Sequence, residues 1–369
     1  MTDPRHPGPR YDVAIVGAGI AGASLAAAIG ARARVLLLEA ESAPGYHATG
    51  RSAAFWSETY GGPAIQPLTS LSGPALRTGV ADGGGYLEPL GSLHVGRAGD
   101  AARADAFLAE FAGSGVVLEA VDPATVLPGL RPDWTIGIRE PSCAYIDVAR
   151  LHADYLATAR RGGAVLVTDA GVGSATRDGG GWHVDTRAGR YHADVLVDAA
   201  GAWADALATL AGVRPLGIRP YRRTMVQLRT DPPAPPGLPH VADLGGLFYF
   251  KPEPGGRLWL SPHDEIATDA CDAAPEELDV ATAIDRFERV VDWQVTTVER
   301  RWAGLRSFAP DRRPVYGFDA RVPGFFWFAG QGGFGIQTAP AAAALAAGLL
   351  LGAAELPLDP APYAATRFG

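Results

Sequence analysis

Lysine and cysteine are scarce in this sequence. Among the 32 basic residues of the 369-residue chain Lys251 is the one lysine, and the two cysteines are Cys143 and Cys271. A Walker phosphate loop and a pyridoxal phosphate site each need a lysine, and the neighbours of Lys251 provide neither context. Two cysteines cannot build a disulfide framework, which favours a reducing, cytoplasmic location where both serve as packing or surface residues.

An excess of positive charge and a long apolar run are also missing. Lys and Arg number 32 against 40 Asp and Glu, and this acidic balance argues against a nucleic-acid partner. The first ten residues are polar and rich in Pro, without the apolar stretch of a signal peptide. The apolar run 339–354 is too short for a bilayer about 30 Å thick, so we expect a buried helix and no membrane span.

Residues with metal-ligand chemistry do not cluster, and we predict no metal site. The eight histidines are scattered along the chain. His263, Asp264 and Glu265 are consecutive, but their Pro-flanked setting favours a solvated turn over a ligand set.

A glycine-rich turn near the start of the chain predicts a dinucleotide site. The β-rich stretch 11–16 leads into GAGIAG (17–22), a small-residue helix and a second apolar strand that ends in Glu39. In this βαβ context Gly17 makes the tight turn, Gly19 lets a pyrophosphate approach the backbone, and Gly22 lets the helix pack on the strand. The Glu39 carboxylate is placed to accept hydrogen bonds from the hydroxyl groups of a ribose. The alternative is a glycine turn of an ordinary doubly wound fold. The turn serves NAD and FAD alike.

Two more strand–turn–helix units follow, at 195–210 and at 325–351, the second around a glycine cluster (330–335) that we expect to open a helix at residue 336. We therefore predict an α/β fold with a Rossmann-like nucleotide-binding domain formed by 10–80, 146–217 and 300–366. The segments 81–145 and 218–299 are richer in Pro, aromatic residues and alternating strands, and predict a discontinuous, mainly antiparallel β-sheet substrate domain. The turn-rich segment 45–54 (GYHATGRSAA) is expected to lie along an extended cofactor.

Several of these stretches together resemble the D-amino acid oxidase superfamily of FAD enzymes. They are GAGIAG with Glu39, VDAAGAWADALA (197–208), PDRRPVYG (310–317) and GQGGFGIQTAP (330–340). Within the superfamily the chain is most similar to bacterial D-arginine dehydrogenases. The resemblance implies noncovalent FAD and oxidation of an amine beside a carboxylate. The FAD contacts that it implies are Gly17, Gly19, Ala21, Gly22, Glu39, Ala40, Ala48, Thr49, Gly50, Arg51, Ser52, Ala53, Ala54, Gly171, Gly201, Gly332, Gly335 and Ile336.

Arginine is the side chain that best holds a substrate carboxylate, because its N–H groups donate two parallel hydrogen bonds. Arg223 lies in a β-rich segment and Arg306 in an apolar one; alone, either could be a surface charge, and the resemblance places the carboxylate clamp at both. Tyr249 alternates with Phe248 and Phe250, which turns it to the opposite face of its strand. Tyr249 could be a core residue. The resemblance implies instead that its hydroxyl donates a further hydrogen bond to the substrate carboxylate.

Three other residues complete the site that the resemblance implies. Tyr60 precedes a glycine pair and would ride a mobile lid over the substrate. Gly333 and Gln337 would face the amine and the flavin edge. No acid–base residue is assigned.

Two positions depart from the arginine-selective pattern. The acidic residue that holds a guanidinium is replaced by Ser92, and a lid histidine by Phe55. Because a buried guanidinium without a carboxylate costs several kcal/mol, we expect a substrate with a neutral, apolar or aromatic side chain.

We therefore predict oxidation of a D-amino acid to its imino acid, which water hydrolyses to a 2-oxo acid and ammonia. Oxidation of a secondary amine (an N-methyl or cyclic amino acid) or of a 2-hydroxy acid is the enzymatic alternative. A flavin-loaded assembly subunit without turnover is the non-enzymatic one. The electron acceptor, whether oxygen, a quinone or a dye, stays open.

Overall fold

The computed structural model describes residues 10–79 and 83–369; the Pro-rich start and the domain boundary predicted at 80/81 lie outside these residues. Seven α-helices occur in the described part: α1 (Ile20–Ile29), α2 (Gln66–Thr78), α3 (Ala101–Glu110), α4 (Val148–Arg161), α5 (Ala204–Leu210), α6 (Glu277–Glu288) and α7 (Ala339–Leu351).

The strands of the same residues are β1 (Arg10–Val16), β2 (Val35–Leu38), β3 (Phe55–Trp56), β4 (Leu87–Pro89), β5 (Ser92–Arg97), β6 (Glu119–Val121), β7 (Trp134–Glu140), β8 (Ala144–Ile146), β9 (Val165–Val167), β10 (Val172–Asp178), β11 (Gly181–Thr186), β12 (Gly189–Asp198), β13 (Arg219–Asp231), β14 (His240–Asp243), β15 (Tyr249–Glu253), β16 (Arg257–Ser261), β17 (Ile266–Ala267), β18 (Gln294–Phe308), β19 (Val315–Phe318), β20 (Phe325–Ala329) and β21 (Gln331–Gly332).

The first sheet is the nucleotide-binding layer. Its parallel strands run in the order β9-β2-β1-β12-β20, and the hairpin β10–β11 and strand β19 extend it in antiparallel fashion. Both faces of the parallel strands are covered, one by α1, α4 and α7 and the other by α5 and the β10–β11 hairpin. This double cover explains why β2 and β20 are buried along their whole length.

The second sheet has ten strands, in the order β21-β18-β13-β16-β15-β14-β5-β7-β6 with β17 beside β13. Its pairs are antiparallel except for β14 with β5. Helix α6 packs on one face through Val280, Ala283 and Phe287. The other face looks toward the first sheet, so the functional cleft forms between the two.

Two sequence-based boundaries are displaced in the structure. Strand β18 continues in the second sheet to Phe308, so residues 300–308 pair with β13 and do not belong to the nucleotide-binding layer. Helix α7 begins at Ala339 and not at residue 336, because Gln331 and Gly332 pair with the end of β18 and Pro340 favours the first turn of the helix. Residues 339–351 of the apolar run form this largely buried helix, while 352–354 follow it as exposed residues. None of the helices in the described residues has the length and apolarity needed to cross a membrane.

The turn before α1 depends on two glycines. Gly17 has a φ of 103°, and a Cβ at this position would lie under 3.0 Å from the carbonyl oxygen of Ala199. A Cβ on Gly22 would meet the carbonyl oxygen of Gly17 just as closely. Glycine therefore lets α1 start directly on the sheet edge.

We expect Gly22→Ala to lower the free energy of unfolding by about 1–3 kcal/mol or more, because the added methyl group meets backbone that cannot move aside. Thermal unfolding with and without added FAD measures the loss. Gly179→Ala is the matched control, since a Cβ there meets no atom of the described residues within 4 Å. Equal stability of the two variants would contradict the close-packing account.

Candidate active site

A cleft of about 470 Å³ runs between the two sheets. All the residues that the sequence predicts for the site line this cleft, except Gly22, Gly50 and Ser92. Gly22 and Gly50 approach backbone carbonyl groups within the glycine turn and within segment 45–54. The structure thus brings together residues from both ends of the chain.

At one end of the cleft the glycine turn is held in place by side chains. The Glu39 carboxylate accepts hydrogen bonds from the backbone N–H groups of Ala18 (2.9 Å) and Glu41 (3.0 Å). Thr49 Oγ1 accepts from the N–H of Ile20 in the first turn of α1, at 2.9 Å. His152, which belongs to no motif of the sequence, lies with Nε2 2.8 Å from the Ala18 carbonyl oxygen. The turn is therefore fixed before any ligand arrives.

Arg51 connects the segment 45–54 to the second sheet. Its guanidinium donates to the carbonyl oxygens of Ala273 (2.8 Å) and Ala303 (3.2 Å) and pairs with Asp272. Trp302 donates back to the Arg51 carbonyl oxygen at 3.1 Å. The side chain of Arg51 thus ties the two sheets together along the cleft.

Arg223 and Arg306 stand side by side at the other end of the cleft. In the β13–β18 register Arg223 is opposite Gly304 and Arg306 is opposite Tyr221, which puts both side chains on one face. Arg223 is 5% exposed, and its Nε donates to the Asp264 carbonyl oxygen at 2.7 Å. Neither Nη atom of Arg223 has a hydrogen-bond partner among the described residues. Buried N–H groups of this kind fit an anion.

Aromatic side chains surround the two guanidinium groups. Tyr60 Oη accepts from Arg306 Nη1 at 3.2 Å, and the Tyr249 ring lies 5.8 Å from the Arg223 guanidinium carbon. Burial lowers the pKa of Arg223, and the nearby charge of Arg306 lowers it further. Burial also raises the pKa of Tyr249, so its hydroxyl stays protonated and can donate a hydrogen bond. Tyr249 faces the cleft while Phe248 and Phe250 join the core, as the alternation predicts.

The predicted solvated turn at 263–265 is wrong for most of its length. The Asp264 side chain is 8% exposed and accepts from the backbone N–H (2.8 Å) and the hydroxyl (3.0 Å) of Thr224. His263 adopts a φ of 54°, and burial lowers its pKa to about 3. Glu265 reaches Arg306 at 2.8 Å. Chain order could not reveal these contacts, because they depend on where β13 and β18 meet.

Tyr60 is anchored from the second sheet. The fully buried Glu140 carboxylate accepts from the N–H of Glu58 at 2.7 Å and from the hydroxyls of Ser57 (2.9 Å) and Thr59 (2.7 Å). Gln337 Nε2 donates to the Tyr60 carbonyl oxygen at 3.0 Å. Glu140 gave no signal in the sequence. The mobile lid stays a prediction; in this conformation its segment is held at several points.

Phe55 lines the cleft next to Tyr60, but Ser92 does not. Ser92 Oγ lies 3.1 Å from His240 Nδ1, and the His240 ring packs 4.5 Å from the ring of Phe55. The predicted pocket position of Ser92 is therefore corrected: its hydroxyl pairs with His240, and Ser92 is not among the residues that line the cleft.

Comparison with known proteins identifies the family. A profile of the DAO family, described as FAD dependent oxidoreductase, matches residues 12–349. The chain belongs to the DAO family. FAD is therefore its cofactor.

Three individual proteins that resemble the chain share between 20% and 31% sequence identity with it. The hydrogen cyanide synthase subunit HcnC of Pseudomonas aeruginosa is 31% identical over 224 residues. The matched region is 59% of this chain and 52% of HcnC, so the chain matches about half the length of this relative. Glycine oxidase of Geobacillus kaustophilus is 26% identical over 97% of both chains. Its crystal structure superposes with a TM-score of 0.81, covering 97% of this chain and 99% of that chain. L-proline dehydrogenase from P. horikoshii shares the fold at 20% identity, with a TM-score of 0.83 over 97% and 98% of the chains.

The cleft fits FAD. The glycine turn leaves no space for a Cβ at Gly17, and Glu39 is fixed at the strand end where a ribose is bound in such folds. Residues of 45–54 other than Gly50, and of 332–337 other than Phe334, line the same cleft as the glycine turn and the arginine pair. These segments would hold the cofactor from the ribose to the ring.

We expect Glu140→Gln to loosen the segment that carries Tyr60, because the amide nitrogen would face a hydrogen-bond donor. Stability should fall by about 2–4 kcal/mol, and the KM of a carboxylate substrate should rise more than kcat falls. Thermal unfolding and steady-state kinetics measure both effects. Glu88→Gln, at an exposed position in strand β4, is the control. A Glu140→Gln enzyme with unchanged KM would show that Tyr60 is positioned without this carboxylate.

Proposed function

We propose that this protein is an FAD-dependent D-amino acid dehydrogenase or oxidase with noncovalently bound FAD. The observation that carries the proposal is the pair of unpartnered Nη groups on buried Arg223, beside Arg306 and the hydroxyls of Tyr60 and Tyr249. This arrangement suits one carboxylate, held by two guanidinium groups and two neutral donors. FAD, when bound, supplies the acceptor for the hydride that leaves the substrate carbon.

The protein's own part in this reaction is orientation. Strand pairing fixes Arg223 and Arg306, and both line the same cleft as Gly333 and Gln337. In the proposed reaction, a carboxylate bound to the two arginines would hold its neighbouring carbon near the turn before α7. Holding the reacting carbon in one orientation supplies much of the rate enhancement in such reactions. Gly333 and Gln337, at the turn before α7, would face the amine.

The lining of the cleft supports a neutral side chain on the substrate. Among the described residues, the acidic side chains that line it are Glu39 and Glu41, both at the ribose end. Phe55, Met225 and Tyr249 surround the opposite end. A cationic side chain of the substrate would lack an acidic partner there, so we propose a preference for substrates with neutral or apolar side chains over D-arginine. The similarity of the chain to D-arginine dehydrogenases stays a prediction.

We expect Arg223→Ala and Arg306→Ala each to raise KM by roughly 100-fold, because each removes charged hydrogen bonds of about 1.5–3 kcal/mol to the carboxylate. Arg222→Ala is the matched control: this residue points to the other face of β13 and pairs with Glu276 and Asp279. Unchanged KM in the two clamp variants would contradict the assignment.

Anaerobic titration of the holoenzyme with D-, L- and N-alkyl amino acids and 2-hydroxy acids tests the substrate class. Loss of the oxidised flavin absorbance with D-amino acids is the expected result. Bleaching by N-alkyl amino acids or 2-hydroxy acids alone would favour the corresponding alternative. A flavin that no compound bleaches would overturn the proposal.

A further inference from the structure

Glu265 lies behind the carboxylate clamp and contacts all its positive charges. Its Oε1 is 2.8 Å from Arg306 Nη2, and both carboxylate oxygens are 2.9 Å from Nη2 of Arg312. The same Oε1 is 3.7 Å from Arg223 Nη2. Glu265 does not line the cleft. It therefore acts on a bound ligand through the guanidinium groups and not by contact.

Arg312 holds Glu265 from the solvent side. This residue has a φ of 64°, and its guanidinium carbon lies 3.9 Å from the ring centre of Phe308. Backbone and ring contact thus fix the direction of the Arg312 side chain. Since Arg306 approaches from the cleft side, the Glu265 carboxylate is held between two guanidinium groups.

The charges around the clamp leave a small positive surplus. Arg223, Arg306 and Arg312 contribute three positive charges, while Asp264 and Glu265 contribute two negative ones. His263 is neutral at physiological pH, since its pKa is about 3. Arg222, Glu276 and Asp279 form a separate group on the other face of β13. One positive charge therefore remains for a ligand.

We infer that Glu265 limits the site to ligands with one carboxylate and disfavours dicarboxylates. The inference rests on the proposed function, in which a substrate carboxylate binds Arg223 and Arg306. One carboxylate neutralises the surplus charge. A second would enter a cleft end lined by Phe55, Met225 and Tyr249 without a counter-charge, which is costly in a desolvated site.

Replacing the carboxylate by an amide changes the charge and keeps the shape. In Glu265→Gln the carbonyl oxygen can still accept from Arg306 or Arg312, but the surplus rises to two positive charges. A purely structural role of Glu265 would alter the binding of every carboxylate alike. A role in charge selection changes dicarboxylates more than monocarboxylates.

Succinate and succinamate test this difference, because they match in shape and differ by one charge. Binding to the oxidised holoenzyme is followed by the perturbation of the flavin absorbance, at a pH well above both acid pKa values of succinate. We expect Glu265→Gln to lower the ratio of Kd for succinate to Kd for succinamate by about tenfold or more. Glu299→Gln is the control, since Glu299 also bridges two arginines, Arg229 and Arg257, in the same sheet.

Arg312→Gln provides the opposite sign and an independent variant should Glu265→Gln fail to fold. It removes one positive charge from the solvent side of Glu265, so the ratio should rise. Unchanged ratios in the folded variants, or equal weakening of both ligands, would overturn the inference and leave the proposed function intact. If neither ligand perturbs the parent holoenzyme and no amino acid bleaches its flavin, both the inference and the proposed function fail.

Discussion

The antiparallel pairing of β13 with β18 sets the geometry of the whole site. It places Arg223 and Arg306 on one face, two positions apart in register, so their separation depends on backbone hydrogen bonds and not on flexible side chains. Burial then removes water from the Arg223 Nη groups without giving them a hydrogen-bond partner among the described residues. A site built in this way binds an anion with little reorganisation.

The two sheets depend on each other for the rest of the cleft. The nucleotide-binding layer contributes the glycine turn, Tyr60 and Gln337, whereas the second sheet contributes the arginines and Tyr249. Polar contacts cross between them at both ends: Arg51 donates to Ala273 and Ala303, and Glu140 accepts from residues 57–59. The buried carboxylate of Glu140 is fully satisfied by these donors, which is the condition under which a buried charge can be retained.

Local patterns in the sequence predicted the parts of the structure that local chemistry determines. The motif GAGIAG predicted the βαβ turn, because at Gly17 and Gly22 a Cβ would meet the backbone. The alternation of residues along β15 predicted that Tyr249 points away from the core. Long-range pairing decided the rest. The end of β18 at Phe308, the late start of α7 and the pairing of Ser92 with His240 all follow from contacts between distant segments. For the same reason, neither Glu140 nor Glu265 could be recognised as part of the site.

The surroundings of the arginines show how a charged cluster is tolerated in a protein interior. The Asp264 carboxylate accepts a hydrogen bond from Thr224, and the Asp264 carbonyl oxygen accepts one from Arg223. The Glu265 carboxylate accepts hydrogen bonds from both Arg306 and Arg312. These carboxylates compensate most of the positive charge on the side away from the cleft. Among the described residues, both Nη groups of Arg223 and the Nε of Arg306 still have no hydrogen-bond partner. In this cluster the fold thus accepts guanidinium groups with unpaired donors, and it does so where a ligand anion can supply the missing hydrogen bonds. Stability given up at Arg223 in the free protein is recovered when that anion binds.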